Sequence, residues 1–136
     1  MSLFIEYQAN EQNLNFVFEQ INNRNFTILP SSIATGPVFK ITYDGDLEED
    51  LYERGFLVIP KGSSINSHLH TSDIEQYTLL TGNLSINSVS MNVNECLIGE
   101  CHSIDPVSEL TIIKTIKISN KLINQIQQKQ YIKSKQ

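Results

Sequence analysis

Three histidines and one glutamate hold most of the chemistry that this chain of 136 residues can offer. His68 and His70 stand two apart in GSSINSHLHTSDIEQYTLLTG, residues 62–82, and Glu75 follows five positions after His70. The third and last histidine, His102, lies in LIGECHSIDP. Imidazole nitrogens and a carboxylate oxygen are borderline-to-hard donors suited to divalent manganese, iron, nickel, zinc or copper. Four such donors around an octahedral ion leave two adjacent positions for water or substrate. The expected centre is a divalent transition metal held by His68, His70, Glu75 and His102, its identity open among Mn, Fe, Ni and Zn.

Positioning these groups is work for extended chain. Side chains alternate along a strand, so His68 and His70 share one face. Glu75 lies beyond the polar stretch Thr71-Ser72-Asp73 and is expected to open the neighbouring antiparallel strand, pointing the same way. Tyr77 and Leu79 share its face. Tyr77 is thus the candidate catalytic residue, donating a hydrogen bond to substrate, with a packing aromatic as the alternative. Cys96 either lines the pocket or serves as a small buried hydrophobe, and Cys101 should face away from His102. Asp73 and Glu100 read as rim carboxylates. Arg24 and Arg54 are the only arginines, which leaves few donors for bidentate capture of an anion; Arg54 is the one placed to try.

The surrounding texture is that of strands and turns. FTILP, VFKITY, GFLVIP, IEQYTLLT, LSIN, MNVNECLI, HSI and ELTIIKTIKIS follow one another, broken by Gly, Pro, Asn and Asp. In VFKITY, Val38, Lys40 and Thr42 take one face and Phe39, Ile41 and Tyr43 the other. GFLVIP suits a strand buried on both sides. Such spacing predicts an all-β sandwich or barrel. Residues 1–25 stay open: Leu14, Val17, Phe18 and Ile21 would form a helix face, yet NFVF suits a strand equally, and a short strand after Met1 is favoured. After Ser119, Asn120 is placed to cap a helix with Leu122, Ile123 and Ile126 inside.

Bulk properties exclude several classes. A formal charge of −5 offers nothing to neutralise nucleic-acid phosphates. No run is long enough to span a bilayer, and the start lacks a secretion signal, so the expectation is a cytoplasmic protein with reduced thiols and no membrane or nucleic-acid partner. Six of fifteen acids fall in residues 44–53, while six lysines and no acids follow Glu109. These are solvated surface or, in a homodimer, the tail of one subunit lying on the acidic segment of the other.

The segment Gly62-x5-His68-x-His70-x4-Glu75-x6-Gly82 resembles the first motif of the cupin superfamily, with every fixed position present. The second motif is similar to Leu97–His102, keeping Gly99 and His102 but carrying Leu97 for proline, Pro106 for asparagine and Met91 for the opening glycine. The resemblance implies a cupin-type antiparallel β-barrel (double-stranded β-helix, or jelly roll) and one domain over 1–136. Its barrel core would span 36–119, with an N-terminal extension of strands over 1–35 and a C-terminal helix or tail over 120–136. It implies that His68, His70, Glu75 and His102 are the ligands around a small-molecule pocket. Metal-dependent dioxygenase or isomerase/lyase activity would follow; the alternatives are a non-catalytic ligand-binding or sensing cupin, or a dimeric scaffold.

Overall fold

The computed structural model describes residues 10–42, 52–69, 71, 73–97, 99–119 and 124. One helix, α1 (Asn10–Asn22), precedes eleven strands among these residues. They are β1 (Thr27–Ile28), β2 (Ala34–Thr35), β3 (Phe39–Thr42), β4 (Tyr52–Ile59), β5 (Ser64–Leu69), β6 (Asp73–Thr81), β7 (Ser85–Ile86), β8 (Val89–Ser90), β9 (Val93–Cys96), β10 (Cys101–Ile104) and β11 (Thr111–Ser119). All pairings are antiparallel: one sheet runs β1-β3-β4-β11-β6-β9, the other β2-β5-β10-β7-β8. The fold is the cupin-type jelly roll.

Among the described residues the barrel expected from the resemblance is not closed; two sheets face each other instead. Closure needs an unbroken hydrogen-bonded circuit, and the outermost strands are only two to four residues long, β1 and β9 on one sheet and β2 and β8 on the other. Between the sheets lies the main core, in which Ile65, Ile86 and Ile104 of one layer meet Leu57, Ile59, Tyr77 and Ile113 of the other. GFLVIP is buried on both faces as expected, from Phe56 through Ile59. Its odd-numbered members join the main core, while Phe56 and Val58 join a second cluster on the outside of the six-stranded sheet.

Residues 10–22 are helix, which settles the open reading of NFVF. Val17 is completely buried against the second cluster, with Leu14, Phe16 and Ile21 beside it. Phe18, expected on that face, is half exposed, because the buried stripe runs through Asn13 and Val17. Phe16 stacks at 5.7 Å from Phe56. The helix stops where Arg24 adopts φ +57°, with Asn25 N–H donating to Gln20 and Arg24 N–H to Ile21, the double bond of a left-handed helix terminus. The N-terminal extension is therefore a helix plus β1 and β2, one strand in each sheet, and not strands alone. The favoured strand after Met1, the acidic stretch 43–51 and the tail helix over 120–136 fall outside the described residues, Asn124 apart.

Candidate metal centre

His68 and His102 come together because β5 and β10 pair with these two residues directly opposite. Their Nε2 atoms are 2.8 Å apart and their rings meet edge to face. A β-bulge makes this possible. Ile104 pairs with Ile65, yet His102, two residues earlier, pairs with His68, three residues later. The extra residue on β5 lets Ile65 and His68 both point inward, which strict alternation forbids. The bulge also brings the Asn66 carbonyl to 2.9 Å from His68 Nδ1. A carbonyl only accepts, so Nδ1 carries the proton and Nε2 is left with its lone pair for a metal. Asn66 is itself tethered, its Oδ1 accepting from the Thr35 hydroxyl.

Glu75 arrives from the other layer. The expectation that it begins the strand beside His68 is corrected: β6 belongs to the six-stranded sheet and β5 to the five-stranded one. The chain changes sheet between Leu69 and Asp73, and the Glu75 carboxylate faces the histidines across the sandwich. Glu75 is 4% exposed, with Oε1 3.8 Å from His102 Nε2 and Oε2 3.5 Å from Lys117 Nζ. A buried carboxylate requires such compensation. Donor atoms of His68, Glu75 and His102 all lie within 4.8 Å of one another. Neighbouring ligands bonded at about 2.0–2.2 Å and a right angle stand about 3 Å apart, so the histidine pair already has the spacing of two such ligands. The donor set fits a divalent transition metal. His70, the fourth expected ligand, lies outside the described residues.

Tyr77 is a core aromatic whose hydroxyl points at the His–Glu group. Its ring is buried in the core, and its hydroxyl is 3.2 Å from His102 Nε2. Burial, then the charge of Glu75 and a hydrogen bond to that carboxylate, hold the phenol well above its usual range. It therefore stays a proton donor throughout the ordinary pH range. Lys117 is pulled down by burial but pushed up further by Glu75, Glu53 and Asp73, and it remains charged.

The turn ahead of His102 survives the loss of its proline. Glu100 N–H donates to the Leu97 carbonyl and Gly99 takes φ +88°, a conformation glycine adopts without penalty. Glu100 is more than a rim charge, because its Oε2 accepts from Leu97 N–H. Cys101 is exposed and Cys96 buried. Cys96 faces the same side as Glu75, its register partner, but directs its thiol at the Glu100 carbonyl.

His68, Glu75 and Tyr77 line a cavity of about 270 Å³ between the sheets, walled by Leu29, Ile33, Leu57 and Ile65. Arg54 is not among its lining residues. The cations there are Lys40 and Lys117. Lys117 escaped the sequence reading because it sits in the apolar run TIIKTIKIS, and its place beside Glu75 comes from the β11–β6 register.

No family model matches the chain, and no curated protein does. Solved structures match in fold. A protein described as a predicted oxalate decarboxylase from Thermotoga maritima is 20% identical, with 68% of this chain and 98% of that one covered at TM-score 0.54. An acetylacetone dioxygenase from Acinetobacter johnsonii is 15% identical over 87% and 76%, at TM-score 0.58. The Cnp3 cupin domain of Schizosaccharomyces pombe is 17% identical over 72% and 76%, at TM-score 0.54. The chain is a cupin-fold protein with a group of side chains that could hold a metal ion. No helix among the described residues is long and apolar enough to cross a membrane.

Proposed function

We propose that this protein is a metal-dependent small-molecule cupin in which His68, His70, Glu75 and His102 hold one divalent transition metal, Mn, Fe, Ni or Zn, at the wall of the cavity. The carrying observation is the convergence of His68, Glu75 and His102 donor atoms from two different sheets within 4.8 Å. The bound ion would act as a Lewis acid toward a ligand oxygen, suiting either dioxygenase or isomerase/lyase chemistry. The protein's own groups do the rest. The Asn66 carbonyl fixes the tautomer of His68. Tyr77, kept protonated, offers a hydrogen bond from the metal side of the cavity. The apolar wall excludes water from the ligand's carbon skeleton. The similar structures include a predicted oxalate decarboxylase and an acetylacetone dioxygenase, names that refer to small oxygen-rich molecules and support the same class of ligand here.

Elemental analysis of protein purified without a histidine tag, followed by zinc titration of metal-stripped protein, tests this reading. One equivalent of bound metal is expected. A protein that neither carries nor takes up a stoichiometric ion would sink it. Oxygen uptake by iron- or manganese-loaded protein then separates the oxygenase branch from the isomerase/lyase branch.

A further inference from the structure

The cavity has a second pole, and its chemistry narrows the ligand. Along the inner face of the six-stranded sheet, Glu53, Lys117 and Glu75 stand in one row across β4, β11 and β6. The adjacent row runs Thr42, Gly55, Thr115. Gly55 leaves the middle of that row without a side chain; a Cβ there would come 2.6 Å from the Ile41 carbonyl oxygen and 3.5 Å from Thr115 Oγ1. Lys40 occupies the row beyond, and all of these residues line the cavity with His68 and Glu75. The result is a hollow floored by glycine, edged by two hydroxyls and flanked by two ammonium groups.

Charge decides what such a hollow takes. Lys40 and Lys117 are balanced by Glu53 and Glu75 in the bare cavity. A divalent cation at the His–Glu group leaves two positive charges in excess, so an anion becomes the preferred guest only once the metal is bound. The cavity, at about 270 Å³, falls below the range of roughly 300–1,000 Å³ common for drug-sized ligands. No arginine lines it, so the planar fork that suits bidentate phosphate capture is missing. Lys117 is 42% exposed at its side chain and holds Glu75 at only 3.5 Å, which leaves ammonium protons available to a ligand.

We propose that this pole binds the carboxylate of a small organic acid, with Lys117 as the residue that selects the anion. The inference rests on the metal-centre reading and adds the ligand class to it. Lys117 acts on the two guests in opposite senses. Beside Glu75 its charge repels a cation at the centre, while in the cavity it attracts the acid.

Calorimetric titration of the untagged full chain tests this. Zinc is titrated first, then malonate or its neutral analogue malonamide into zinc-loaded protein. Lys117→Met should weaken malonate binding about tenfold or more, the worth of a charge-assisted contact of about 1.5 kcal/mol. Zinc affinity should be unchanged or tighter, and malonamide indifferent to the substitution. Lys117→Gln should behave like Lys117→Met, and Lys117→Arg should restore malonate binding in part. Equal malonate affinity in parent and Lys117→Met, or no malonate binding by the zinc-loaded parent, would overturn the anion subsite while leaving the metal centre standing. A parent that binds no zinc would overturn the metal centre itself, and the subsite with it.

Discussion

Nε2 of His68 and Nε2 of His102 lie 2.8 Å apart across the β5–β10 ladder. Two imidazoles from one sheet form the half of the site that Glu75 completes from the other. His68→Ala and His102→Ala should each remove the zinc-dependent rise in stability. For the parent this rise is about 2.7 kcal/mol at a metal concentration 100 times the dissociation constant. Urea unfolding with and without zinc measures it, and a variant that kept the full zinc effect would exclude its histidine from the centre.

Tyr77 separates packing from polarity. Tyr77→Phe keeps the buried ring and deletes a hydroxyl that faces Glu75 and His102. Loss of a hydrogen bond to a charged group costs about 1.5–3 kcal/mol, whereas Tyr77→Ala adds a cavity, and aromatic truncations cost about 3–5 kcal/mol. Denaturant midpoints should therefore fall in the order parent, Phe, Ala. A Phe variant as unstable as the Ala variant would show that the hydroxyl, not the ring, dominates.

Two glycines of the sequence motifs should respond differently to alanine. Both have positive φ, Gly82 at +92° and Gly99 at +88°, which costs an L residue about 1–2 kcal/mol. A Cβ on Gly99 meets nothing within 4 Å, but one on Gly82 would lie 2.5 Å from the Leu110 carbonyl oxygen and 2.6 Å from Thr111 Cα. Gly82→Ala should thus be clearly the more destabilising of the pair, because backbone must move. Chemical denaturation of both variants ranks them.

The two cysteines should differ in reactivity at the same pH. Burial first, then the charges of Glu100, Glu75 and Asp73, push the Cys96 thiol up to about 11. The thiolate is the nucleophile, so Cys96 stays inert until the pH approaches that value. Cys101 is exposed. Iodoacetamide at pH 8 followed by mass spectrometry should show modification at Cys101 and none at Cys96 in folded protein; labelling of Cys96 at that pH would contradict the burial described.

Much of this architecture could be read from residue order. Strand and turn spacing gave an all-β sandwich or barrel, the resemblance of Gly62–Gly82 to the cupin motif implied the jelly roll, and alternation in VFKITY placed Lys40 and Thr42 on the face that turned out to line the cavity. Three features were not legible. The β5 bulge hides from any period-two reading, because Ile65 and His68 differ by an odd number yet point the same way. The sheet crossing between His68 and Glu75 depends on which distant strands claim β6, and β11 and β9 do so. Helix α1 was ambiguous because Phe16, Val17 and Phe18 are consecutive; only the docking of Val17 on the outer sheet face decides between the two periods.

The division of the site between layers has a mechanical outcome. His68 and His102 are anchored in one sheet, Glu75 and Tyr77 in the other, and among the described residues no strand of one sheet pairs with a strand of the other. An ion among these side chains would therefore act as a strut, restraining how far the halves drift apart. Chelation should quicken amide exchange in β10 and β6 together, although the two strands never pair.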